Sequence, residues 1–304
     1  MIKIIKILFI CLIAFIAITV SFLSIKGIET DRFNKKISEK LKKDNPFLEV
    51  KFNKIKIKLD IKSLNLFGET NKPTIVYRNT NIPIKKIKIY INLLKLAESK
   101  NYLERVELTT EEINIEILQK VLAGIKPSNF KKFLLNNVSN GKVKSSINLE
   151  FDENFKIEKY KISGQIKKID LIIAENILLK KTSFNYVSDN DLILINSIES
   201  NYKNIPIKNG TIKITIGDNY QIEGSVQSVV KLNNNELKEF TKKIKLKYLD
   251  NNIKISGNLL SKFKLALSSS LKIENYNFNI GGTIETSQIS FSAPLTSDLL
   301  KNKL

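Results

Sequence analysis

Ile55-Lys56-Ile57-Lys58-Leu59-Asp60-Ile61 sets an apolar residue at every second position with a charge between each pair. A period of two turns the apolar side chains to one face of a strand and the charges to the other, as in an antiparallel sheet with one dry side. The same period opens at Leu48, where Leu48, Val50 and Phe52 alternate with Glu49 and Lys51, and it slips at Asn53-Lys54. Such a slip marks a bulge or a tight connection. Similar runs follow at Ile87-Ile89-Ile91, Val106-Leu108, Ile113-Ile115-Ile117, Ile147-Leu149-Phe151, Ile212-Ile214-Ile216 and Leu271-Ile273. Helical interruptions are few. The best runs from Ser128 to about Asn137, with Phe130, Phe133 and Leu134 on one side and Ser128 as its cap.

A short repeat recurs in the second half: Ile162-Ser-Gly164-Gln-Ile166, Ile222-Glu-Gly224-Ser-Val226, Ile255-Ser-Gly257-Asn-Leu259 and Ile280-Gly-Gly282-Thr-Ile284. The glycine is expected on the opposite face from its apolar neighbours, at a bend or a close backbone approach. Four occurrences imply a sheet that curves repeatedly in one sense; their unequal spacing argues against a strict solenoid. One-sided strands must pack on helices, pack on a second sheet, or close. Helices are too few to cover them. That leaves a sandwich or barrel, or a curled sheet whose apolar floor is partly open to a non-protein ligand. Roughly eighteen to twenty strands at about 4.8 Å each would make a sheet some 80–100 Å long. The same alternation serves a filled sandwich and a hollow groove. The two differ in what covers the apolar face.

Ahead of these strands, Ile7–Ile25 carries no charge and follows Lys3 and Lys6. A run of that length just crosses the roughly 30 Å hydrocarbon core as a helix. The alternative is a cleaved signal peptide, with an apolar core of about 7–15 residues and a small-x-small site. This run is longer, and Phe22, Leu23 and Ile25 crowd the place of cleavage. Phe9 and Ile10 before Cys11 do not fit a lipoprotein signal. Residues 1–26 are therefore read as a retained N-terminal anchor and 47–304 as one β-rich domain. Between them, 27–46 is a juxtamembrane helix or linker. Thr30-Asp31 would cap its helix, Phe33, Ile37 and Leu41 recur along it, and Asp44-Asn45-Pro46 ends it. It serves either as a spacer or as an interfacial helix that orients the domain's mouth towards the membrane.

The chain has no His, no Trp and a single Cys. Zinc, haem and iron–sulfur sites, and Ser-His-Asp or Cys-His catalysis, thereby lose their usual ligands or bases. The acids Glu104, Glu107, Glu111, Glu112 and Glu116 sit beside lysines on strand and helix patterns, as solvated faces do. Neither a G-x-x-x-x-G-K-[ST] loop nor a G-x-G-x-x-G turn occurs. A non-enzymatic protein without a metal or other cofactor is expected. The formal charge of +20 suggests nucleic acid or an anionic surface. Only Arg32, Arg78 and Arg105 supply the bidentate guanidinium that nucleic-acid readers favour, and the lysines are spread along the chain. No nucleic-acid partner is expected. Anionic headgroups suit Lys35, Lys36, Lys40, Lys42 and Lys43 beside the anchor. More Lys and Arg follow the uncharged run than precede it, which by the positive-inside rule would leave the domain in the cytoplasm. Lysine is common throughout, so charge does not decide orientation.

Three segments carry a resemblance. They are IKIKLDIKSLNLFGETNKPTIVYRN (Ile55 to Asn79), IPIKKIKIYINLLKL (Ile82 to Leu96) and YLERVELTTEEINIEIL (Tyr102 to Leu118). With the preceding apolar helix, the Leu-Phe turn, the P-I-x-x-I-x-I strand, the L-L-x-L step and the V-E-L strand, the layout resembles the N-terminal part of the AsmA family. That group includes the large YhdP- and TamB-type envelope proteins. The resemblance covers about a fifth of the chain. It implies an elongated β-groove in the bacterial periplasm, anchored in the inner membrane, that shields lipid acyl chains between membranes. The bridging members are much longer than this chain, which suits a partial sequence, a short member working in series with others, or one with a local role.

The expected fold is thus mainly β: an N-terminal transmembrane helix, then an elongated, curved antiparallel β-sheet groove with few short helices. The expected function is phospholipid transport that supports outer-membrane integrity, with other envelope proteins as further partners. Candidate lipid-contacting residues are Ile55, Ile57, Leu59, Ile87, Ile89, Ile91, Ile147, Leu149, Ile212 and Ile214. Ordinary core is the alternative for each of them. A second function class is a scaffold that assembles outer-membrane proteins by strand addition. A third is a cell-surface sandwich protein.

Overall fold

Period-two patterning dominates the structure as it does the sequence. The computed structural model of the chain describes residues 2–63, 65–98, 103–174, 177–203, 205–233, 235–236, 252–270 and 272–290. Strands make up 61% of it, in one large antiparallel sheet with few short helices. Leu271 and the segment Pro294–Leu300, which by sequence could open a short helix, lie outside the described residues. The chain divides into two compact units, Met1–Ile169 with Asn185–Ile193, and Asp170–Phe184 with Leu194–Leu304. Residues 47–304, read from the sequence as one domain, are distributed over both.

The first unit opens with α1 (Ile2–Ile25), β1 (Ile28–Thr30), α2 (Asn34–Asp44), β2 (Leu48–Lys51), β3 (Ile55–Asp60), β4 (Asn65–Asn71) and β5 (Thr74–Tyr77). It continues with β6 (Thr80–Asn92), α3 (Leu93–Ala97), β7 (Leu103–Thr110), β8 (Ile113–Asn114), α4 (Ile115–Ala123), α5 (Asn129–Asn137), β9 (Val138–Ser139), β10 (Lys142–Phe151) and most of β11 (Ile157–Ala174), which ends in the second unit. Antiparallel pairing runs β1–β3–β4–β6–β7–β10–β11. The slip at Asn53-Lys54 separates β2 from β3. β2 turns aside to pair with β5, which pairs with the first half of β6. This ribbon folds over the sheet and closes a small core of Val50, Ile75, Ile84 and Ile87, with Leu41 of α2 packed against it.

Local chemistry sets the helix ends. Ser128 accepts a hydrogen bond from the Lys131 amide at 3.1 Å and caps α5 where the sequence places it. Asn92 caps α3, taking the amides of Leu94 and Lys95 at 3.1 Å each. Two expectations fail. Thr30 does not cap α2, because residues 28–30 are drawn into pairing with β3 and the helix starts after Phe33. The run Ile113-Ile115-Ile117 is not a strand: β8 ends at Asn114, which becomes the N-cap of α4. Ile115, Leu118 and Leu122 fall on one side of that helix at spacings of three and four.

Among the described residues no helix is long and apolar enough to cross a membrane. The backbone of α1 is a single helix of 24 residues, and apart from Lys6 its described side chains run from Phe9, inside an uncharged run that begins at Ile7.

The second unit takes in part of β12 (Ile177–Asp189) and β13 (Leu192–Tyr202), followed by β14 (Ile205–Ile216), β15 (Tyr220–Leu232), β16 (Asn252–Leu267) and β17 (Ile273–Ser290). The last four form an antiparallel meander. Lys181, Ser197 and Asn209, in three successive strands, have positive φ. The register of β14 against β15 shifts beside Asn209, between Lys208 and Thr211. Bulges of this type sharpen twist and bend a sheet.

The repeat glycines lie on the apolar face, not opposite it, since residues two apart on a strand share a face. Gly164 opposes Ser145 between the pairs Ile162–Ile147 and Ile166–Val143. Three of the four make room for a large neighbour: Tyr186 over Gly164, Phe263 over Gly224 and Leu259 over Gly282. A Cβ at Gly164 would also strike the Lys144 carbonyl, which cannot move aside as a side chain can. At Gly281 it would meet nothing within 4 Å. Gly164→Ala is therefore expected to destabilise the protein by about 1–3 kcal/mol, and Gly281→Ala not to lower stability. Thermal unfolding of the two variants checks this. Equal effects would contradict it.

Candidate functional site

Eight of the ten candidate residues lie on one face of the first unit. Register places Ile57, Gly68, Ile89, Val106, Leu149 and Tyr160 in one row across six strands. Beside it run Ile87, Leu108, Ile147 and Ile162, and on the other side Leu59, Leu66, Ile91 and Leu103. Ile55 shares the face, its Cγ2 lying 3.4 Å from where a Cβ on Gly68 would stand. The face is closed at one end only. Ile84 and Ile87 are buried beneath the β2–β5 ribbon, so Ile87 belongs to the core. Ile55, Ile57, Leu59, Ile89, Ile91, Ile147 and Leu149 are half-buried. Beyond them Ile61, Leu94 and Leu96 are exposed.

The opposite face is the better covered in its middle. Tyr90 is 5% exposed and Glu69 8%. Glu69 lies 3.4 Å from both Lys58 and Lys86, and Lys88 lies 3.5 Å from Glu107. The Arg105 guanidinium sits 4.0 Å above the Tyr90 ring, which stacks on Phe67 with centroids 5.1 Å apart. Long side chains thus roof this face with their own stems. Burial opposes ionisation of Glu69, yet Lys86 and Lys58 outweigh it and hold the carboxyl below its ordinary value. Burial likewise disfavours charge on Lys88, but Tyr90 and Glu107 keep its ammonium above the usual lysine value. These groups satisfy one another. They hold the sheet's polar side and leave its apolar side to be explained.

Ile212 and Ile214 lie in the second unit, half-buried on its apolar face. Ile212 aligns with Gly224, Phe263 and Phe278, and Ile214 with Ile222, Leu265 and Tyr276. No described helix or second layer of that unit covers these rows. Tyr276 is 72% exposed, Phe278 58% and Ile280 57%. This meander carries two shallow hollows of 580 and 670 Å³ that share Lys262 and Asn279. The first is lined by Lys213, Glu223, Ser225 and Lys264 together with Ile212, Gly224 and Phe263 of the apolar row.

Comparison with known proteins finds no matching family model, no matching curated protein and no matching solved structure. Sequence reasoning missed the closed end of the first face. Its signal is the pair Ile75 and Ile82, which meet across the β5–β6 hairpin. It also missed the ion-paired polar lattice, whose signal is the alternation of Lys56, Glu69, Lys88 and Glu107 across four strands.

Because the folded carboxyl of Glu69 titrates below its ordinary value, its contribution is present above the unfolded value of about 4.3 and is lost as pH falls through the folded one. Glu69→Gln is expected to lower the unfolding midpoint at neutral pH, and the gap to the parent to close on acidification. A gap unchanged to about pH 3 would contradict the assignment.

Proposed function

We propose that the protein is an inner-membrane-anchored periplasmic factor that shields phospholipid acyl chains along the open apolar face of its sheet. One observation carries this reading. Apart from Ile87, the apolar rows, the longest six strands wide in the first unit and four in the second, are left half-buried or exposed among the described residues. Leaving a large apolar side chain in water forgoes about 1.5–3 kcal/mol, and an acyl chain gains about 0.8 kcal/mol for each methylene it buries. A row of isoleucines meets a methylene chain without specific recognition. This suits a passage better than a tight site.

The anchor is part of the proposal. Phe9, Ile10, Leu12, Ile13, Phe15, Ile16 and Ile18 of α1 are each more than half exposed. An apolar helix that buries none of these side chains in protein is suited to a bilayer. The layout similar to the AsmA family agrees with both parts, and with a role in carrying lipid towards the outer membrane.

Native mass spectrometry with lipid extraction on the purified full chain tests the reading. The parent is expected to carry phospholipid. Ile57→Lys combined with Ile89→Lys should remove most of it, while Lys161→Gln on the polar face should not. A folded double variant that keeps its lipid would overturn the assignment of this face.

A further inference from the structure

The joint between α1 and the sheet of the first unit has little slack. Lys26 and Gly27 both donate their amides to the Phe22 carbonyl, at 2.9 and 3.0 Å, and close the helix. Gly27 has φ +72°, and a Cβ there would stand 2.6 Å from the Ile57 carbonyl oxygen and 2.7 Å from Cγ of Lys58. The next residues are already sheet, with Ile28 opposite Ile57 and Thr30 opposite Ile55. The end of α1 is thus tied by hydrogen bonds to β3, one of the strands that carries the open apolar face.

α2 follows at once and is equally fixed. Asn34 donates its side-chain amide to the carbonyls of Phe52, at 3.3 Å, and Asn53. Leu41 packs on the core, and Lys42 pairs with Glu49 at 2.7 Å. These contacts settle which side of α2 faces the sheet. The side turned away carries Phe33, Lys36, Lys40 and Lys43, at spacings of three, four and three, all exposed. Among the described residues none of these three lysines forms an ion pair, whereas Lys35 has Glu39 at 4.0 Å. Exposed Phe47, stacked under Arg78 at 4.6 Å, lies just beyond the helix end.

We infer that this stripe is a docking surface for anionic lipid headgroups, which seats the first unit on the bilayer with β3 at its surface. The proposal rests on α1 being the membrane anchor. Its chemistry is complementary: three unpaired ammonium groups face outward, an exposed phenylalanine ring at the start of the helix suits the headgroup boundary, and the helix starts a few residues from the anchor's end. Each lysine so placed favours the anionic surface about five-fold. Charge would thereby fix the tilt of the sheet, and Ile55, Ile57 and Leu59 would meet lipid first.

The test is amine acylation of the full chain in nanodiscs, read lysine by lysine by mass spectrometry. One set is phosphatidylcholine alone and the other holds about one third phosphatidylglycerol. Lys36, Lys40 and Lys43 are expected to react about five-fold more slowly in the anionic discs, with the difference lost in high salt. Equal reactivity in both discs would overturn the docking surface and leave the anchor standing. A chain that enters neither disc would refute the anchor, and this proposal with it.

Discussion

A one-sided antiparallel sheet is stable only if something excludes water from its apolar face, and in this protein the strands extend further than their cover. In the first unit the β2–β5 ribbon and α2 seal Ile84 and Ile87 and then stop, while the hydrogen-bonded rows continue through Ile89 and Ile91. In the second, no described helix or second layer lies over the rows through Ile212 and Ile214, although Val230 of the same meander is buried. Backbone pairing therefore supplies rigidity where side-chain burial is incomplete. That division is unusual for a filled core, which aims at near-crystalline packing.

The polar side compensates. Lys56, Glu69, Lys88 and Glu107 alternate in sign across neighbouring strands, and Arg105, Tyr90 and Phe67 cover the centre with stacked rings and a guanidinium. Cross-strand pairs of this kind contribute roughly 0.2–1 kcal/mol each. Together they support the register that the small core on the opposite face also fixes. A sheet fastened on its charged side can keep its apolar side available, and the tie between Gly27 and β3 brings that side to the end of α1.

Much of this was legible in the sequence, because alternation over Ile55–Asp60, Ile87–Ile91 and Ile147–Phe151 is a direct consequence of strand geometry. Ser128 was legible as a cap for the same local reason. What escaped depends on contacts distant in sequence. Ile113-Ile115-Ile117 reads as a strand until α4 is seen to start at Ile115, and Thr30 reads as a cap until β3 captures it. The positive φ at Lys181 and Ser197 carries no glycine signal, since ordinary residues there are held in that conformation by the surrounding sheet. The candidate rows were legible as a set, but the separation of Ile87 as buried core from Ile89, half-buried at the edge of that core, depends on where the β2–β5 ribbon ends.

The central claim is that lipid meets the apolar face and not its reverse. It is tested most directly by placing a photoreactive benzoylphenylalanine at Leu149, on the apolar row, or at Lys161, on the polar row beside it. After irradiation of the full chain in its native membrane, phospholipid adducts should form from position 149 and be absent from 161. Adducts from both positions, or protein adducts alone from 149, would contradict the account.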